Sequence, residues 1–300
     1  MGIETYWIAN GWSYDSLPPG INIDNTLFMF EKEDMRGMPI SKSSTYLFHM
    51  MGNKPDTDSS HVLRDRVGRQ VDWRQFSTNY WQDRHYEYTI RRPEVVEVAK
   101  GTLFEKSSDG VDKLYCAWAT DLLPSEIDLS DMHKTRENVS WYIGTVGGGR
   151  GGIDDCLPTP EIHDNRKTLI EFRESCKQHG IEFKTNCPWL NPLSQEVSKK
   201  LIQDSFLAVD SRHPTMVKWG YIPCRLMKNM SYGQLGLTNS DAVHEFFEGE
   251  TIYSDNGHVL FEEGLKHKND YEMIKRQMML VKDKHTYVNR ARAILQSLSL

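Results

Sequence analysis

The sequence predicts an α/β fold in two domains, on three observations. At 300 residues and roughly 150 residues per domain, the length alone suggests about two. The texture breaks at residues 130–138, SDMHKTREN, a polar stretch without apolar periodicity. From residue 139 onward, short apolar runs alternate with helical patterns, the βαβ succession of a parallel sheet. The expected division is therefore 1–138 and 139–300.

Taken in order, the first half reads as strand-rich with long loops. Ser44–Met51 is an apolar run ending in Gly52-Asn53-Lys54-Pro55, a strand running into a loop. Lys113–Ala119 is a second strand, closed by Thr120-Asp121-Leu122-Leu123-Pro124. In the second half, Val139–Val146 is a strand before a glycine-rich loop. Arg166–His179 is a helix with Leu169, Phe172, Arg173 and Cys176 on one stripe. Gly180 ends it, and Ile181–Thr185 is the next strand. Ser194–Asp204 is a helix with Val197 and Leu201 four apart, Ser205–Val209 a strand, and Arg225–Tyr232 a helix running into Gly233. Finally Tyr271, Ile274, Met278, Val281, His285, Val288, Leu295 and Leu298 recur mostly at three- or four-residue spacing, giving one long amphipathic helix or two abutting ones.

With 38% hydrophobic residues, 26% charged residues and a mean hydropathy of −0.59, the chain has an ordinary globular composition. Charges interrupt every apolar run well short of the roughly 18 residues a membrane helix needs. The N-terminus, MGIETYWIANGWSYD, has neither a basic leader nor a long apolar stretch, and Tyr6 stands where myristoylation needs Ser or Thr. The expected location is cytoplasmic. Cys116, Cys156, Cys176, Cys187 and Cys224 form no CxxC pair, so reduced thiols are expected rather than disulfides or a zinc site. The net charge of −6 and pI of about 6.0 exclude a generally basic, nucleic-acid-binding surface. A local basic pocket for a phosphorylated small molecule remains compatible with them.

Gly147-Gly148-Gly149-Arg150-Gly151-Gly152 contains GxGxxG directly after a strand. A dinucleotide site needs a helix to open at once, whereas Ile153–Asp164 carries Pro158 and Pro160. The acid expected at the end of the second strand is also missing, that strand closing with Thr185-Asn186-Cys187-Pro188. No Gly-Lys-Ser/Thr follows, which rules out a P-loop. Two readings stay open for the loop: a surface turn, or a backbone that approaches a phosphate or sugar.

In residues 210–240, DSRHPTMVKWGYIPCRLMKNMSYGQLGLTNS, Arg225 and Lys228 lie three apart on one helical face. That face either meets one polyanion or is simply solvated. The run Arg225-Leu226-Met227-Lys228-Asn229-Met230-Ser231-Tyr232-Gly233, followed by Leu237-Thr238-Asn239, resembles the donor-binding segment of GT-B glycosyltransferases, the exostosin-like and related bacterial and viral enzymes. His285-Thr286-Tyr287-Val288-Asn289-Arg290 is similar to the HTY..R segment that closes many such domains. The resemblance covers residues 139–300 and implies two Rossmann-like domains facing a cleft, an N-terminal acceptor side and a C-terminal nucleotide-sugar side.

The resemblance further implies a UDP- or GDP-sugar donor, a glycan acceptor, no separate cofactor and a small virus-encoded type of enzyme acting in host cytoplasm. Arg225 would lie near the diphosphate and Thr238, Asn239 and Ser240 near the phosphates. Gly147, Gly148, Gly149, Arg150, Arg212, Lys228, Asn229, Ser231, Tyr232 and Gly233 complete the expected donor site. Lys228 stands where the family usually has the Glu that holds the ribose. For His285 and Arg290 the favoured expectation, even within that family, is a structural role in packing a helix across the domain junction.

Without a metal, Arg225, Lys228 and Arg212 would stabilise the departing diphosphate. A base for the acceptor hydroxyl is expected from Asp56, Asp58 or His61 in NKPDTDSSHV, or from Asp121 in WATDLLP. Asp56-Thr57-Asp58 also matches DxD, and Asp154-Asp155 flanks the glycine loop, but neither is expected to be a required metal site. Trp7, Trp12, Tyr14, Trp73, Tyr80, Trp81, Tyr86 and Tyr88 supply core aromatics or a sugar-stacking platform. Two other classes stay open: a non-catalytic carbohydrate-binding protein with a degenerate transferase fold, and a nucleotide-dependent epimerase or dehydrogenase.

Overall fold

A computed structural model describes residues 24, 26–30, 43–49, 62–64, 70–72, 77–82, 103–105, 112–115, 117–147, 153–154, 165–188, 190–218 and 221–297. The chain is mixed α/β and divides into two compact units, Met1–Asp83 with Phe104–Tyr115, and Arg84–Leu103 with Cys116–Leu300.

The described elements of the first unit are short strands: β1 (Leu27–Phe30), β2 (Thr45–His49), β3 (Val62–Arg64), β4 (Gln70–Asp72), β5 (Ser77–Gln82), β6 (Leu103–Glu105) and β7 (Asp112–Tyr115). Five of them form a sheet in the order β1-β2-β5-β7-β6, with β1, β2, β5 and β7 successively parallel. β3 and β4 make a separate antiparallel pair. The strand expected over Lys113–Ala119 stops at Tyr115. Past it, the carbonyls of Ala117 and Trp118, which a longer strand would offer to a neighbour, accept from the Arg290 guanidinium instead.

The second unit opens with β8 (Val139–Ile143), α1 (Arg166–Gln178), β9 (Glu182–Asn186), α2 (Gln195–Asp204) and β10 (Val209–Asp210). It continues with α3 (Pro214–Lys218), α4 (Cys224–Ser231), β11 (Leu237–Thr238), α5 (Asp241–Phe246), β12 (Ile252–Tyr253), α6 (Gly257–His267), α7 (Tyr271–Lys284) and α8 (Tyr287–Ser297). β8 and β9 pair in parallel, as do β10, β11 and β12.

The two small sheets adjoin along residues 205–208. Phe206 N–H donates to Val139 O at 2.7 Å. At the flanking positions serine hydroxyls replace carbonyls as acceptors, Ser205 Oγ for Trp141 N–H (3.1 Å) and Ser140 Oγ for Leu207 N–H (3.3 Å). This substitution is why the strand expected over Ser205–Val209 is regular only from Val209. The spatial order is thus β9-β8-β10-β11-β12. Chain direction across the sheet reverses between β8 and β10, so right-handed crossovers send α1 to one face and α2 to the other. Accordingly α1 packs with α6, and α4 with α2 and α7.

Helix α1 follows the expected register with one exception. Leu169, Phe172 and Cys176 are buried, and Phe172 meets Phe261 of α6 edge-on at 5.3 Å. Arg173 lies off the stripe and pairs with Asp154 at 2.6 Å. Burial pushes the Cys176 thiol up to about 12, so it packs as a small apolar group. Helix α2 turns a different face inward: Val197 is exposed, whereas Ile202 and Gln203 are buried.

The C-terminal periodicity resolves into two helices. Ile274, Met278 and Val281 line the inner face of α7, and the chain breaks at His285-Thr286. Asn289 Oδ1 accepts from Thr286 N–H (2.9 Å), and His285 O accepts from Thr120 N–H (3.1 Å). Buried Arg290 donates to Ala117 O, Lys284 O and Trp118 O, and its Nη2 stands 3.0 Å from His285 Nδ1. Among the described residues, no helix is long and apolar enough to cross a membrane.

Burial, and then the charge of Arg290, hold the His285 imidazole well below the usual range. Below pH 6.5 the unfolded chain binds a proton that the folded chain refuses, so this group's contribution is complete above 6.5 and is lost as pH falls. Between pH 7.5 and 5.5 the expected loss is about 1.4 kcal/mol. Urea unfolding of the protein and of His285→Gln at pH 7.5 and 5.5 measures it. The variant should lose less stability by that amount; equal losses would remove His285 as the cause.

Candidate functional site

Strand order reverses between β8 and β10, and open α/β sheets bind ligands outside the carboxyl ends of the strands at such a point. The chain places an acid there. Asp210, the last residue of β10, is wholly buried. Its Oδ1 accepts from Arg212 Nη2 and from Arg225 Nη1 at 3.2 Å, and its Oδ2 accepts from Arg212 Nε at 3.2 Å and Thr238 Oγ1 at 3.5 Å. Among the described residues, one carboxylate therefore faces two guanidiniums, a surplus of one positive charge. Isolated buried charge is strongly disfavoured, which makes such a surplus a natural anion attractor.

Arg225, on the first turn of α4, is held on three sides. Its Nε donates to Ile143 O at 2.9 Å and its guanidinium carbon lies 4.4 Å from the Tyr142 ring centroid, a cation–π contact. The third side is Gly144, where a Cβ would come within 1.9 Å of Arg225 Nη2. The Arg225 side chain is 16% exposed against 8% for Arg212 and 0% for Asp210, so Arg225 is the cation of this cluster most open to a ligand.

Asn239 fixes the loop after β10, its Oδ1 accepting from Arg212 N–H (2.7 Å) and its Nδ2 donating to Arg212 O (2.9 Å). Thr238 Oγ1 accepts from Ser240 N–H, and Ser240 caps α5 by accepting from Val243 N–H. Asn165 closes the other side, donating to Tyr142 Oη at 3.1 Å and accepting from Gly147 N–H at 3.0 Å. Burial raises the Tyr142 phenol, against the opposing pull of Arg225 and Arg212, so it stays a neutral hydroxyl.

Arg212, Arg225, Thr238, Asn239, Ser240 and Gly147 thus gather at one edge of the sheet. The remaining predicted residues do not. Lys228 lies three residues from Arg225 but pairs with Asp121 at 3.0 Å, so the two cations serve separate carboxylates instead of one shared anion. Tyr232 Oη donates to Asp121 Oδ1 at 2.6 Å, and Ser231 Oγ lies 2.7 Å from Thr120 Oγ1. Asn229 donates to Ala208 O. Gly233, at φ +84°, ends α4 so tightly that a Cβ would stand 2.6 Å from the Asp131 carbonyl carbon. Asp121, Lys228, Ser231 and Tyr232 therefore tie α4 to the segment after Ala119.

Asp56, Asp58, His61, Gly148, Gly149 and Arg150 lie outside the described residues. Asp154 is paired with Arg173. Among the described residues, no three His, Cys, Asp or Glu side chains cluster as a metal site. Asp210, Tyr142 and Asn165 are the site residues that sequence reading missed. Asp210 had a usable signal, an acid directly after an apolar strand and two residues before an arginine; Tyr142 and Asn165 had none.

Comparison with protein-family models, curated proteins and solved structures returns no match.

Asp210→Ala would leave two buried guanidiniums without their shared anion, and removing one partner of a buried pair costs about 3–5 kcal/mol. Urea unfolding should show a loss of that size, and a loss below about 1 kcal/mol would mean the arginines find other partners.

Proposed function

We propose that the second unit binds a nucleoside diphosphate sugar beside Arg225, and that the protein is a glycosyltransferase of GT-B type with an acceptor-side and a donor-side unit. The observation that carries this reading is the cluster at the carboxyl edge of β8 and β10: a surplus guanidinium charge, rigidly held, at the ligand-binding position of an open parallel sheet.

In the proposed reaction the acceptor hydroxyl oxygen bonds to the anomeric carbon as the bond from that carbon to the β-phosphate oxygen breaks. The electron pair leaves on the diphosphate. Arg225, with Arg212 behind it, is already oriented to meet that charge, which is the condition for transition-state stabilisation without reorganisation. A carboxylate or imidazole takes the acceptor's proton. Asp121 is engaged by Lys228 and Tyr232, so on this reading the base is Asp56, Asp58 or His61. With guanidiniums carrying the charge, turnover is expected to survive EDTA.

The second reading, a carbohydrate-binding protein without turnover, is favoured by Lys228. The residue in the position of the family's ribose-holding Glu is a cation committed to Asp121.

Thermal shift against UDP, GDP, CDP, ADP and dTDP tests donor binding; a ligand at 100 times its Kd adds about 2.7 kcal/mol to the folded state. One selective rise is expected, and none at millimolar concentration would sink the donor site. With the matching nucleotide-sugar, Arg225→Ala should lower turnover by about 10²-fold or more. Binding with no turnover by the wild type would select the second reading.

A further inference from the structure

We infer that Asn186 is the residue that recognises the ribose of the bound nucleotide, its side-chain oxygen accepting a hydrogen bond from the 2′-hydroxyl. The inference rests on the nucleotide-site reading above and adds a specificity-determining residue to it.

Asn186 is the last residue of β9, the second strand of the βαβ unit. Its register partner is Ile143, the residue whose carbonyl accepts from Arg225 Nε. Its own carbonyl accepts from Gly144 N–H at 2.9 Å, and Gly144 is the glycine against which the Arg225 guanidinium lies. Asn186 is thus one strand over from the diphosphate cluster, on the same carboxyl edge. In dinucleotide-binding α/β folds an acid at the end of the second strand accepts from the ribose 2′-hydroxyl, and Asn186 stands at the corresponding place here. The usual acid is replaced here by an amide, which keeps an acceptor oxygen without adding negative charge beside a diphosphate.

The second observation is energetic. Asn186 Oδ1 is closed to solvent and has no hydrogen-bond partner among the described residues. Buried acceptors are overwhelmingly paired, and an exception calls for a reason. The residue as a whole is only half-buried, and on this proposal its amide turns toward the ligand when the nucleotide binds. The penalty of the orphaned oxygen is then relieved by the ribose hydroxyl, and binding gains what the free protein lacks.

Titration with UDP or GDP, whichever raises the wild-type melting temperature, and with its 2′-deoxy analogue tests this. The wild type should prefer the ribonucleotide about tenfold, the worth of one good hydrogen bond. Asn186→Leu should bind both alike, with the affinity of the wild type for the deoxy form, and Asn186→Asp should restore the preference. Without nucleotide, Asn186→Leu should melt no lower than the wild type, because it removes an unpaired polar atom. An unchanged preference in Asn186→Leu, with binding still lost in Arg225→Ala, would overturn the role of Asn186 alone. A large drop in the melting temperature of Asn186→Leu would make the amide structural and overturn it too. No binding of either nucleotide to the wild type would overturn this inference together with the nucleotide site.

Discussion

The Asp210 carboxylate is the interaction on which the rest of the carboxyl edge of the second unit's sheet depends. It is wholly buried, and it holds Arg212 from its own loop and Arg225 from α4 against one another. Neither guanidinium would tolerate that position without an anion, and the anion would not tolerate burial without them. The pairing also joins three chain segments: the end of β10, the first turn of α4, and, through Arg225 and Ile143 O, the end of β8. A rigid, incompletely neutralised cation at the carboxyl edge of a parallel sheet follows from that one arrangement.

The sheet carrying this edge is stitched at its centre by side chains. Ser140 and Ser205 supply acceptors that backbone carbonyls would supply in a regular ladder. Their hydroxyls satisfy buried N–H groups while letting residues 205–208 run alongside β8 without a regular strand conformation. The reversal of strand order falls at this seam, and Asp210 and Arg225 meet at its carboxyl end. Seam and site are thus one structural feature.

Two sets of residues that look functional by pattern are structural in geometry. The His285–Arg290 segment is a clamp: Arg290 gives its donors to carbonyls at 117, 118 and 284, and His285 is buried against Phe246 and Phe247. Lys228 and Tyr232 reach Asp121, and Arg136 reaches Gln203 O and Gly233 O. The polar stretch 130–138, which has the composition of a linker, is therefore bound into the second unit through its charges. Side chains that satisfy buried carbonyls and carboxylates carry the same letters as side chains that bind phosphate.

The sequence by itself determined the α/β class, the strand-rich first half and the bounds of α1 to within a residue, because a 3.6-residue apolar stripe ended by Gly180 has one local solution. It also singled out Arg225, Thr238 and Asn239, which the structure brings to one edge of the sheet. Only the tertiary structure decided which face α2 buries, since Val197 and Leu201 look apolar enough but Ile202 is what the core accepts. Helix α6, which was not read from the sequence, carries glycines at 257 and 264 where α1 and the Leu207 and Leu237 side chains come close. The separation of Arg225 from Lys228 was likewise undecidable from spacing. Which carboxylate a cation meets depends on Asp210 and Asp121, residues brought to opposite ends of one short helix by chain segments distant in sequence, and charge pairing acts through space.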